Sequence, residues 1–200
     1  MFLFISHRGN GKHNYKENTV KSIINVLKED VDGVEFDIRM TKDKKFVLSH
    51  NPVVNGLIIR KNKYYKLKKH LSSLQEVLDK IKCNKIILIE IKSEFDDEKI
   101  LCKKLCNILK KYNLNFYICS FNKKIIEFMD FKYRKGLIIG YYINYKYLLN
   151  NYSFNIVHYL YKDKINKNKE SFIWTINNKK KLKNINNNSY IITDKYYLIK

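Results

Sequence analysis

Apolar and polar positions along the chain switch between two periods, and the switching lays out the elements. Short apolar runs bounded by polar or turn residues occur at 2–6, 33–38, 85–91, 116–120, 136–141, 154–159, 171–176 and 190–193, each the length of a strand. The run at 85–91 is nearly continuous, as in strands buried on both faces of a parallel sheet. Between these runs the spacing becomes helical. Val20, Ile23, Ile24 and Leu27 share one face, with Asn18 or Thr19 placed to cap them. Ser73-Leu74-Gln75-Glu76 reads as a capping box ahead of Val77, Leu78 and Ile81. A helix beginning at Asp96, Asp97 and Glu98 and running to about Tyr112, acids first and lysines last, suits the helix dipole. Shorter helices are predicted near 122–130, 144–150, 161–168 and 178–187, and 57–70 reads as a basic loop with little periodicity.

One stretch, 33–51, carries chemistry in its pattern. In a strand, Glu35 and Asp37 point to one face while Val34, Phe36 and Ile38 point to the other. The turn at 42–45 is too short for a parallel crossover, so the chain returns as a hairpin. A turn centred near Asp43 is expected to set residue 50 opposite residue 37, which brings His50 level with the carboxylates. Two adjacent carboxylates repel unless a cation lies between them, and hard oxygen donors suit Mg²⁺ or Ca²⁺. An imidazole beside such a pair points to metal-assisted hydrolysis. Taken alone, the stretch reads equally well as an exposed hairpin with scattered charges.

With the return strand of the hairpin set aside, eight strands alternate with helices. That order predicts a (β/α)₈ TIM barrel of the α/β class, a small variant near the lower size limit, with a β-hairpin after strand 2. A doubly wound open sheet is the alternative. The barrel accounts for the placement of His7, Arg8, Glu35, Asp37, Glu90, Lys92, Trp174 and Asp194 at strand carboxyl ends, where barrel enzymes carry their sites. No repeat or linker divides residues 1–200, which read as a single domain.

The charge of +21 would ordinarily point to nucleic acid or an anionic membrane. Here lysine is dispersed through every segment, alongside abundant Asn, Ile and Tyr and scarce Gly and Pro. That is what an AT-rich coding sequence would produce without selection for binding, and it argues against specific nucleic-acid binding. Clusters at Lys61–Lys69 and Lys179–Lys183 leave a weak anionic membrane contact as an expectation. The four cysteines lack paired Cys-x-x-Cys spacing and are expected to be reduced thiols. No 18-residue apolar run predicts a membrane helix, and the first residues read as a strand rather than a signal peptide, so an intracellular protein is expected.

Ten short motifs then occur in a recognisable order: His7-Arg8-Gly9, Glu17-Asn18-Thr19, Glu35-x-Asp37, Thr41-Lys42-Asp43, His50, Leu74-Gln75-Glu76-Val77-Leu78, Ile89-Glu90-Ile91-Lys92, Ser120-Phe121, Trp174-Thr175-Ile176-Asn177 and Ile192-Thr193-Asp194. The chain thereby resembles the glycerophosphodiester phosphodiesterases, of the phosphatidylinositol-phospholipase-C-like barrel superfamily, over almost its whole length. The resemblance implies hydrolysis of small glycerophosphodiesters to glycerol 3-phosphate and an alcohol. It implies a divalent cation on Glu35, Asp37 and Glu90, and His7 and His50 as the acid–base pair. Arg8 and Lys92 would hold the phosphate, Glu17 would support the first loop, and Trp174 would pack on the glycerol or line the pocket. Attack by a substrate hydroxyl through a cyclic phosphate and direct attack by water are both open. The chain departs from the family at Asn51, where His-Asp is usual, at Lys16, where proline is usual, and in a final strand without the common Gly-Val-Asp. Any insertion over the substrate is reduced to about twenty residues or is absent. Lysophospholipase D action on a lipid analogue and a catalytically inactive, phosphate-binding barrel are the alternatives.

Overall fold

The structure is a computed structural model that describes residues 2–92, 98–140, 152–164, 168–186 and 189–200. Eight parallel strands close into a ring: β1 (Leu3–Ser6), β2 (Gly33–Met40), β6 (Ile86–Ile91), β7 (Asn115–Ser120), β8 (Arg134–Ile139), β9 (Asn155–His158), β10 (Ser171–Trp174) and β11 (Ser189–Thr193). Strand β1 pairs with both β2 and β11, which closes the sheet into a barrel and excludes the open doubly wound alternative. One further strand, β3 (Phe46–Leu48), bonds antiparallel to β2 outside the ring, as the hairpin reading requires.

Alternation along the strands builds two apolar layers. Ile5, Leu88, Tyr117, Phe154, Ile156, Phe172 and Ile192 fill the barrel. Four of the fillings are aromatic: Phe172 stacks on Tyr190 at 4.4 Å, and Tyr117 meets Phe154 and Phe172 at 5.3 Å. Gly136 makes room for this filling, because a Cβ there would lie 2.5 Å from the Phe154 ring. The Tyr117 and Tyr190 hydroxyls donate to Glu170 and close the lower end.

The opposite strand faces, including Val34, Phe36 and Ile38, pack against helices. Helix α1 (Val20–Val26) starts at a Thr19 cap, and α3 (Leu74–Leu78) at the Ser73–Glu76 capping box. Helix α4 (Glu98–Leu109) buries Leu101, Cys102, Leu105 and Leu109, each leucine contributing about 1.5–3 kcal/mol. The start of this helix at Asp96 and Asp97 and the predicted 144–150 helix lie outside the described residues.

The structure departs from the sequence pattern in three places. Where the predicted 161–168 and 178–187 helices are described, they hold 3₁₀ turns, at Tyr159–Lys164 and Lys179–Asn184. Their lysines and asparagines supply too few apolar residues to hold an α-helix against the sheet. The predicted loop at 57–70 holds structure. Strands β4 (Val53–Val54) and β5 (Leu57–Ile58) form a hairpin through Asn55 and Gly56, both at positive φ, and helix α2 (Tyr64–Leu67) follows. Val47, Ile59, Leu67 and Leu71 form a small core beneath them. The third departure is the register after the turn. Ile38 pairs with Leu48, so Ser49, not His50, lies opposite Asp37, and its N–H donates to the Asp37 carbonyl.

The short helix α5 (Lys123–Phe128) follows β7, and α6 (Tyr196–Ile199) ends the chain. No described helix is long and apolar enough to cross a membrane.

Candidate active site

The register between β2 and β6 sets Asp37 beside Glu90, with Glu35 one inward position lower. One oxygen from each of the three carboxylates lies within 4.8 Å of the other two. Among the described residues this is the one such grouping of acids, histidines or cysteines. Glu35 is buried, and its Oε2 accepts from the Arg8 backbone N–H at 2.9 Å. Its Oε1 is buried without a hydrogen-bond partner, as befits an oxygen meant for a cation. A donor set of three convergent carboxylates therefore fits a hard divalent ion.

The charges around these acids are arranged unequally. Lys92 bridges Asp37 Oδ1, at 3.1 Å, and Glu90. Burial opposes ionisation of Asp37, but Lys92 and Asn18 outweigh it and hold the carboxyl below its ordinary pKa. Burial dominates at Glu35 and Glu90 and, with Asp37 nearby, raises both above their ordinary values, Glu35 to about 8. A bound divalent ion would reverse that shift.

Arg8 occupies the left-handed region at φ 55°, which turns its backbone N–H toward Glu35. Its guanidinium donates to Glu17 at 3.0 Å and lies 3.4 Å from Asp37. Glu17 thus holds Arg8 within the first loop. Sequence reasoning placed Asn18 only as a helix cap. In the structure Thr19 caps α1, while Asn18 at φ 54° clamps Asp37: its amide donates to Asp37 Oδ2 at 2.9 Å and its oxygen accepts from the Asp37 N–H at 3.0 Å. The Glu17-Asn18-Thr19 motif was the available signal.

His7 and His50 face the same cavity, of about 240 Å³. His7 Nδ1 lies 2.7 Å from Asp194 Oδ1, and its Nε2 lies 3.9 Å from Glu35 Oε2. Burial works against the imidazolium, but Asp194 and Glu35 prevail and raise the His7 pKa above its usual value. His50 Nδ1 meets only the neutral Asn51 Oδ1, at 3.1 Å, and burial, with Lys92, lowers its pKa. The carbonyl of His50 is gripped by Arg39, whose Nε donates at 3.1 Å. That contact holds the ring at the site despite the shifted register.

The cavity has two characters. His7, Arg8, Glu35, His50, Glu90 and Lys92 form a charged side, and Cys119, Phe121, Ile138, Ile156, Trp174 and Ile192 an apolar one. Trp174 lines the cavity and packs edge-on against Phe121 and His158. His158 reaches the site only through this ring. Of the nine residues expected at the site, His7, Arg8, Glu35, His50, Glu90, Lys92 and Trp174 line the cavity, Asp37 lies buried beside Glu90, and Glu17 meets the site through Arg8.

A closed parallel barrel with buried acids, two imidazoles and cationic side chains at its carboxyl mouth defines a hydrolase of charged esters. The model of the glycerophosphoryl diester phosphodiesterase family matches residues 7–196, and the chain belongs to that family. It is 27% identical to a glycerophosphodiester phosphodiesterase of Caldanaerobacter subterraneus subsp. tengcongensis, over 88% of this chain and 86% of that one. The fold is shared with a glycerophosphodiester phosphodiesterase from Parabacteroides distasonis (TM-score 0.88, 21% identity, 99% of this chain and 94% of that one). It is shared too with an Oleispira antarctica phosphodiesterase solved with sn-glycerol 3-phosphate (TM-score 0.86, 17% identity, 98% and 94%).

Proposed function

We propose that residues 1–200 work as one domain that hydrolyses small glycerophosphodiesters to glycerol 3-phosphate and an alcohol. The observation that carries this reading is the convergence of Glu35, Asp37 and Glu90 beside a cavity that His7 and His50 line. Glu35, Asp37 and Glu90 would hold Mg²⁺ or Ca²⁺, which when bound neutralises charge on the nonbridging phosphate oxygens. Arg8 and Lys92 bring fixed positive charge to the same phosphate, the first as a fork and the second as a point charge. One imidazole removes a proton from the attacking oxygen and the other delivers one to the departing alkoxide. His7 presents Nε2 for this, because its Nδ1 is engaged by Asp194. Trp174 and Phe121 offer an apolar wall to the carbon skeleton and exclude water from that side.

The change from Asp to Asn at position 51 is compatible with activity, since Asn51 still supplies an acceptor to His50. A second reading, action on a lysophospholipid, is favoured by Phe121, which is 47% exposed at the rim and available to an acyl chain. The test is release of glycerol 3-phosphate from glycerophosphocholine with added Mg²⁺ or Ca²⁺, run beside lysophosphatidylcholine. Turnover that is abolished by chelator and by Glu35→Ala is expected. No turnover with either metal, or full activity in Glu35→Ala, overturns the reading.

A further inference from the structure

Three donors converge on Asp194, which follows the last barrel strand. His7 Nδ1 and Asn10 Nδ2 approach Oδ1 at 2.7 and 3.1 Å, and Asn177 Nδ2 approaches Oδ2 at 2.6 Å. The orientation of the Asn177 amide is settled independently. Its Oδ1 accepts from the Asp194 backbone N–H at 2.9 Å and from the Thr193 hydroxyl at 3.0 Å, so its NH₂ must face the carboxylate. Burial opposes ionisation of Asp194, but His7, Asn177 and Asn10 outweigh it and hold the carboxyl below its ordinary range, so the ionised side chain can only accept. The His7 nitrogen beside it must then carry hydrogen. The ring is left with Nε2 directed into the cavity, toward Glu35.

We propose that Asp194, clamped by Asn177 and Asn10, is the positioning residue of His7, fixing Nδ1–H and aiming Nε2 at the reacting phosphate. The proposal rests on the reading of His7 as a proton-transfer group. It gives the two histidines unlike supports: a carboxylate held from three sides behind His7, and a single neutral amide behind His50. Without Asp194 the His7 ring is free to flip and present the wrong nitrogen. The groups of the clamp come from three βα loops, after β1, β10 and β11, so it also ties the ends of the barrel seam together at the mouth.

The experiment measures kcat and KM, at saturating Mg²⁺, for release of glycerol 3-phosphate from glycerophosphocholine, whose alkoxide leaving group requires the proton an imidazole delivers. Asp194→Ala is expected to lower kcat about 100-fold, the cost of misplacing a reacting group by an ångström, with KM changed by less than about twofold. In a His7→Ala background the same substitution is expected to add no further loss, because there is no ring left to aim. Asn177→Ala leaves the carboxylate in place and is expected to cost less, about fivefold in kcat, again only when His7 is present. It serves if Asp194→Ala does not fold. A kcat within about twofold of wild type in Asp194→Ala, or an equal loss with and without His7, overturns the positioning role. An unchanged kcat in Asn177→Ala does the same for the clamp. Full turnover in His7→Ala is a separate result: it overturns the reading of His7 itself.

Discussion

Replacing Asn18 by alanine should damage the protein far more than a loop asparagine normally would. Asn18 and Asp37 are 6% and 1% exposed, so the two bonds between them are made away from water. The bond to the Asp37 carboxylate is one to a charged group, worth about 1.5–3 kcal/mol. Loss of the other leaves a buried N–H unsatisfied, at about 1–3 kcal/mol. Alanine must also take up the left-handed conformation, for about 1 kcal/mol more. These losses share one network and do not add fully, so the low ends of the ranges apply, and the sum is about 3.5 kcal/mol. Urea unfolding of Asn18→Ala should show this. Asn18→Gly, which accepts the backbone conformation, should recover about 1 kcal/mol of it. Mg²⁺ affinity, measured calorimetrically, should fall about tenfold in both variants, since Asp37 loses the group that orients it. A stability within about 1 kcal/mol of wild type in Asn18→Ala, with unaltered Mg²⁺ affinity, would refute the reasoning.

The pH profile of kcat/KM should be bell-shaped, with one limb below 6.5 from His50 and one above 6.5 from His7. The limbs are the same whichever ring is the base, because the two singly protonated states have the same pH dependence. A profile flat from pH 5 to 9 would exclude the pair. Asn51→Asp places a charge beside His50 Nδ1 and should move the lower limb up by about one unit; an unmoved limb would remove His50 from the chemistry. Gly136→Ala forces a methyl into the Phe154 ring and should cost about 1–3 kcal/mol of stability, with kcat of the folded enzyme unchanged. A neutral effect on stability would show that the barrel filling yields more easily than its close contacts imply.

The barrel was legible because a strand buried on both faces, such as β6, leaves a continuous apolar run, and eight such runs admit few arrangements. The acid cluster was legible for a local reason: Glu35 and Asp37 are two residues apart, and a strand must turn both the same way. Side-chain partnerships formed across the mouth were not legible. Asn18 reaches Asp37 over 19 positions and Asp194 reaches His7 over 187, distances at which periodicity carries no information. Asn55-Gly56 between Val53-Val54 and Leu57-Ile58 is a strong hairpin signal that the surrounding lysines obscured. His50 lines the cavity although its expected register was off by one, since a turn centred on Asp43 pairs 37 with 49. Arg39, rather than the strand ladder, completes its placement.

The most direct test is anomalous diffraction from crystals of the protein grown with Mn²⁺, an ion that accepts the same hard oxygen donors. The account predicts one strong peak in contact with Glu35, Asp37 and Glu90, with Lys92 withdrawn from Glu90. A map with no peak among these three side chains, or with its strongest peak elsewhere, would contradict it.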